Sequence, residues 1–309
     1  MTASIITSWD FSSSPPQKHD KASDKVCPGN WYHCQRDAAG LREWLEEAAI
    51  PTEVVDSLLA DDTRPRFERF SDDCVLVILR GINLNEGSDP DDMLSLRILW
   101  YKGAVISTRK KPSKAVSLMI NQLENGFGPK TLPEVILHMA NGINSIIEDF
   151  LDPVEDFIDA LDNGETEKPI KATYSRLLRL RRYLKPQSYV YQDLLDAKLP
   201  FLASQRNHFK NCLDTTARIN ESIEFYLDQI DLYVANWNQQ QAEVMNRNTY
   251  LFSVIAGIFL PAGFFTGLLG VNIGGIPGTQ DPIAFPLFCI ALLVVVVIEV
   301  VILKRLRFI

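Results

Sequence analysis

Two apolar runs near the C-terminal end constrain everything else this chain can do. The first is Tyr250–Asn272, YLFSVIAGIFLPAGFFTGLLGVN, and the second is Phe285–Leu303, FPLFCIALLVVVVIEVVIL. No charged residue occurs between Arg247 and Asp281, and the second run carries a single charge, Glu299. At about 1.5 Å per residue, Tyr250–Leu269 covers roughly 30 Å, the hydrocarbon thickness of a bilayer. Two such runs side by side predict a membrane hairpin rather than the buried hairpin of a soluble core. Lys304, Arg305 and Arg307 follow the second run, Arg247 precedes the first, and the loop between them has neither Lys nor Arg. Positive charge stays on the cytoplasmic side, so both ends are expected inside and the loop outside. Two spans cannot enclose an ion path alone. A channel or transporter built from them must be an oligomer.

The residues before the hairpin are numerous enough for a sizeable soluble domain. The formal net charge of −8 over 309 residues argues against nucleic acid, and against an anionic lipid surface, as the main partner. It suits cations. No basic-then-apolar leader opens the sequence, so the hairpin itself is expected to direct insertion. The five Cys lack paired spacing, as in a reduced cytosolic domain. There is no Ser-His-Asp arrangement, phosphate-cradling Gly loop or Cys-x-x-Cys pair, and there are only four His. The expectation is a protein that is not an enzyme and has no cofactor.

Composition and periodicity divide the chain. Residues 1–28, rich in Ser, Pro and Lys, read as a disordered tail. Residues 29–128 read as a mixed α/β domain. Within it Leu41–Ala49 and Thr52–Leu59 are short helices, Cys74–Arg80 is a strand, Met93–Tyr101 and Ala104–Arg109 form a hairpin about Lys102-Gly103, and Ser113–Glu124 is a helix. Residues 129–201 read as a cytoplasmic helical hairpin. Its first helix, Leu132–Leu161, carries Glu148, Asp152, Glu155, Asp159 and Asp162 on one face. Its second, Ala172–Leu184, carries Arg176, Arg179, Arg181 and Arg182. The acids are either a solvated face or a lure for divalent cations, and the arginines can pair with them. Cys27, His33 and Cys34 do not have the spacing of a zinc site, since adjacent side chains point apart on a strand. Asp89, Asp91 and Asp92 lie in a polar turn.

The last helix is the informative one. From about Leu202 neither Pro nor Gly interrupts the pattern until Gly257, so a stalk over 202–249 is expected to enter the membrane continuously as span 250–272. A loop, 273–284, then leads to the second span, 285–303, and a basic cytoplasmic tail, 304–309. Ile223, Ile230, Trp237, Val244 and Leu251 repeat every seven residues, as in a coiled-coil seam. A second face begins with Glu221, Glu224, Asp228 and Asp231, passes through Asn246 and Thr249, and continues as Phe252, Ala256, Leu260, Gly263, Gly267 and Gly270. It has no Lys or Arg. Two readings of its small residues stay open: close helix packing, or a pore wall in which Phe252 or Leu260 forms a hydrophobic constriction. Pro261 is tolerated there and can kink the helix. Glu299, an acid within a span, either snorkels to the interface or serves as a proton-linked site.

Gly270-Val271-Asn272, closing the first of two C-terminal spans after a helical stalk and an α/β domain, resembles the Gly-x-Asn signature of the CorA metal-ion transporter family. The middle Val, the loop Ile273-Gly-Gly-Ile-Pro-Gly278 and the stretches 59–66 and 79–85 are similar to the family's ZntB-like zinc-transport branch. The resemblance implies a CorA-like funnel with an α+β cytoplasmic domain, and a homopentamer in the bacterial inner membrane. The first span would line the pore, with Asn272 at the outer mouth holding a hydrated divalent cation through its water. Proton coupling, associated with the zinc branch, enters only as a further implication. A Mg2+, Co2+ or Ni2+ channel is the alternative within the family.

Overall fold

A computed structural model describes residues 4–19, 25–61, 63–90, 92–162, 170–270, 278 and 280–305. The chain forms two compact units, 1–231 and 232–309.

The first unit is built on a sheet of seven strands in the order β2-β1-β3-β7-β6-β5-β4. These are β1 Ile5–Asp10, β2 Gln17–Lys18, β3 Asn30–Gln35, β4 Arg66–Ser71, β5 Cys74–Gly81, β6 Leu94–Tyr101 and β7 Ala104–Arg109. All neighbours are antiparallel except β3 and β7. The central strands read as unbroken apolar runs because helices cover both faces. Tyr32, Leu76, Ile78, Leu99 and Ile106 pack under α1 (Leu41–Glu47) and α2 (Thr52–Leu59). Alternate residues face α4 (Leu132–Asp162) and α5 (Ile170–Asp196), and α3 (Lys114–Glu124) packs on α4. The β6–β7 hairpin turns on Lys102 and Gly103, both at positive φ (46° and 79°), which the tightest hairpin turn requires. Buried Arg97 lies under the end of α2, donating to the Leu58 carbonyl (2.6 Å) and Thr63 Oγ1 (3.1 Å). Its guanidinium thereby satisfies a carbonyl that the helix end leaves open.

Residues 5–10 correct the reading of 1–28 as disordered. They form β1, paired with β3 in the register Trp9↔Trp31, and Trp9 is only 3% exposed. Average composition hid this strand, because its hydrogen bonds and apolar cover come from residues about twenty positions on. Strand β4 has no apolar run to mark it in the sequence; its Arg66, Glu68 and Arg69 suit a sheet edge. Helix α5 continues past Leu184 and through Pro186 to Asp196. The missing N–H of Pro186 is outweighed by buried Gln187, Val190, Tyr191 and Leu194 beyond it.

A short 3₁₀ helix, Pro200–Gln205, leads into α6, Arg206–Gly270. Within the first unit α6 buries Phe209, Cys212, Thr216, Ile219, Ile223, Tyr226 and Ile230, a stripe of threes and fours. The second unit holds the rest of α6 and α7, Ala284–Arg305. Both are long and apolar enough to cross a membrane, and none of either apolar stretch is buried inside the protein. Stretches this apolar that the rest of the chain leaves so open belong in a bilayer.

Candidate functional site

In the second unit, α6 turns one stripe toward α7. Val254, Ile258, Pro261 and Ala262 are half-buried, and so are Leu292, Val295, Val296, Glu299 and Leu303 across from them. A Cβ built on Gly257 would lie 3.9 Å from Leu303 Cδ1. At about 100° per residue, Phe252, Ala256, Leu260, Gly263 and Gly267 fall half a turn away from this stripe. Asn246 and Thr249 share their side of the helix. All seven are exposed, Phe252 by 73% and Leu260 by 71%. A Cβ on Gly263, Gly267 or Gly270 would meet nothing within 4 Å among the described residues. The small residues therefore do not admit α7. They lie on a face the chain itself leaves open, and between Arg247 and Asp281 that face is free of charge. Hydroxyls on the span are satisfied by the helix: Ser253 donates to the Thr249 carbonyl (2.8 Å) and Thr266 to that of Ala262 (3.0 Å). Gly270 is the last residue of α6, while Val271 and Asn272 lie outside the described residues.

The acidic stretch of α6 lies in the first unit and is not uniformly free. Arg181 Nη1 donates to Glu224 at 2.9 Å, and Lys185 Nζ stands 3.5 Å from the same carboxylate. That hydrogen bond holds the Glu224 carboxyl below the usual range. The Tyr174 hydroxyl donates to Asp231 (3.3 Å), whereas Glu221 and Asp228 face solvent. Arg181 and Lys185 are one turn apart on α5, a spacing visible in the sequence, although their partner helix was not. Of the arginines expected to meet the α4 acids, Arg181 goes to α6 and Arg176 lies over the Phe150 ring at 5.9 Å. Glu148 of α4 takes Arg218 of α6, at 3.7 Å.

Cys27, His33 and Cys34 do not converge. Cys34 is buried under α1 and α2, Cys27 is exposed, and His33 lies on the other face of the sheet with Nδ1 2.8 Å from Ser107 Oγ. Full burial depresses the His33 imidazole to about 3. Asp89 and Asp92 close a turn through the Asp92 N–H and the Asp89 carbonyl (3.0 Å). Among the described residues, no three His, Cys, Asp or Glu side chains come together to hold a metal ion.

Residues 29–305 match the family model described as CorA-like Mg2+ transporter protein. The zinc transport protein ZntB of Vibrio parahaemolyticus is 40% identical over 98% of this chain and 97% of its own. The divalent cation transporter CmaX of Pseudomonas aeruginosa is 36% identical over 90% and 86%. Among solved structures, full-length CmaX superposes with a TM-score of 0.83 at 30% identity, covering 99% of each chain. The Vibrio parahaemolyticus ZntB cytoplasmic domain reaches a TM-score of 0.75 at 35% identity, covering 78% of this chain and 99% of that one. The CorA magnesium transporter of Methanocaldococcus jannaschii shares the fold with a TM-score of 0.77 at 18% identity over 99% of both chains. Members of this family are transporters rather than enzymes, and this chain's arrangement of α+β domain, long helix and paired apolar helices is shared with full-length CmaX and CorA. With its double span, its open small-residue face and these matches over nearly its full length, the chain belongs to the CorA-like transporter family, among its ZntB-type members.

Proposed function

We propose that this chain carries divalent cations, Zn2+ first among them, across the bacterial inner membrane as a homopentamer with both termini in the cytoplasm. The observation that carries this reading is the face of α6 from Asn246 to Gly267. It has no positive charge, is exposed along its length and has lost its bulk at Ala256, Gly263 and Gly267. Five copies around one axis wall a pore wide enough for an ion that keeps part of its water. Relatives named as zinc and divalent-cation transporters support the cargo class.

The chemistry follows from the side chains. Glu221 and Asp228, free of Arg181 and Lys185, attract cations at the cytoplasmic end. Carboxamides such as Asn246 accept hydrogen bonds from the hydration shell. Phe252 and Leu260 form apolar rings that stay closed by dewetting when narrow. Asn272, once per subunit at the outer mouth, holds the ion through its water, which is easier than stripping a tightly held shell. A Mg2+, Co2+ or Ni2+ channel is the second reading. It is favoured by the family model's description and by a path lined with carboxamide and apolar groups, without the thiolate or imidazole that Zn2+ prefers.

Purified protein in liposomes, loaded with Zn2+ or Mg2+ and with or without a pH gradient, tests this reading. Zn2+ flux that follows the gradient and collapses in Asn272→Ala supports proton-linked zinc transport. Mg2+ flux driven by voltage alone supports the channel. Absence of flux for either ion refutes the function.

A further inference from the structure

A cleft of about 400 Å³ opens in the first unit where α3, α4 and α5 meet, and cation transport makes no use of it. Its floor is a stripe of α4, Ile146, Phe150, Val154 and Phe157, spaced by fours and threes and about 16 Å long. Leu84, 44% exposed, stands at its wall. The volume is that of a small-molecule pocket rather than of a trapped water. Water on such a floor lacks hydrogen-bond partners, so an apolar body gains by displacing it.

Charge on the walls selects what that body carries. Lys114 of α3 and Arg176 of α5 both line the cleft, against one acid, Asp149. Among the described residues none of the three makes an ion pair, and Arg176 lies over the Phe150 ring. Lys114 is the first residue of α3, and that helix has no acid in its first turn. A cation there works against the helix dipole, which favours negative charge at the same place. Ala115 packs on α4 at Gly142, one turn before Ile146, so Lys114 belongs to the Ile146 end of the stripe. Arg176 meets the stripe at Phe150, one turn on. The two cations therefore flank one end of the cleft, and the apolar floor continues past them to Phe157.

We propose that this cleft binds an organic carboxylate with an apolar body, its head between Lys114 and Arg176 and its body along Phe150, Val154 and Phe157. Arg176 offers the carboxylate a fork of N–H donors, and Lys114 adds a point charge. A cationic ligand is disfavoured, with two positive side chains against one negative. The site is independent of the transport reading, because its occupancy is read without flux.

Calorimetry on the full-length protein in lipid nanodiscs, with empty nanodiscs as the blank, tests this with naphthoate and its uncharged amide, naphthamide. Naphthoate is expected to saturate one site per chain. The amide is expected to bind about tenfold more weakly or worse, the factor a charge-assisted hydrogen bond supplies. Lys114→Gln and Arg176→Gln each weaken naphthoate about tenfold and leave the amide unchanged. Leu84→Trp, at an exposed position, fills the cleft and removes binding of both compounds while the melting temperature stays that of wild type. Absence of saturable naphthoate binding, equal affinity for the amide, or full affinity in both Gln variants or in Leu84→Trp overturns the proposal. A wild type that binds naphthoate in this way but moves no cation loses the transport reading alone.

Discussion

Replacing Gly263 and Gly267 by Ala separates a pore wall from a packing face. A Cβ at either position meets nothing within 4 Å among the described residues, so the added methyls cost no overlap inside the chain. In a helix interior Gly→Ala is favourable by about 0.5–1 kcal/mol, so the double variant gains roughly 1–2 kcal/mol of helix stability per chain. If the face lines a pore, each subunit now pushes two methyl groups into it. A barrier higher by only ~1.4 kcal/mol lowers flux about tenfold. The assay pairs Zn2+ entry into liposomes, followed with a trapped fluorescent chelator, with thermal unfolding in detergent. Lower flux with unchanged or higher stability is expected. Gly257→Ala serves as the control: its new Cβ meets Leu303 at ordinary contact distance, roughly a quarter to a third of a turn round the helix from Gly267 and Gly263, and flux falls less than in the double variant. Full flux from an assembly that has lost stability would refute the pore assignment and make the glycines a packing surface between subunits.

Other outcomes follow from the first unit. Gly142→Val forces a Cβ to 3.1 Å from that of Ala115 between α3 and α4, so stability falls by about 1–3 kcal/mol in thermal unfolding. His33 has a folded value of about 3 against an ordinary 6.5, so on acidification the unfolded chain takes up a proton that the folded one refuses. Stability therefore declines as pH falls from about 6.5 toward about 3, by a few kcal/mol at the limit; urea midpoints across that range narrow the gap between wild type and His33→Phe. Glu224→Gln changes stability by less than about 1 kcal/mol because its pair is exposed. It also slows cation entry at low ionic strength less than Asp228→Asn does, since Arg181 and Lys185 already balance Glu224.

Long, strongly periodic segments were legible from residues alone. The α4 helix, the β6–β7 hairpin at Lys102-Gly103 and the apolar stripe of α6 from Ile219 to Ile230 follow from spacing, whereas Trp237, Val244 and Leu251, which continue the same seven-residue repeat, are exposed in the chain. Segments whose stability comes from distant partners were not. Strand β1 depends on β3, and α5 survives Pro186 only because the residues beyond it are buried. The candidate face was legible as a pattern, small and free of positive charge, but two explanations of that pattern remained open.

Sequence by itself determined that the chain has two apolar runs of bilayer length with only Glu299 charged between them, since the cost of burying charge in hydrocarbon is a property of residues rather than of arrangement. It also determined the order of side chains along α6. Tertiary structure decided which way each face turned. It set Val254, Ile258, Pro261 and Ala262 against α7, leaving Ala256, Gly263 and Gly267 open, and it gave Glu224 to Arg181. It also placed Glu299 between the two spans. Those choices depend on the rotation of one helix against another, which is fixed by the packing of side chains from both and is written in neither alone.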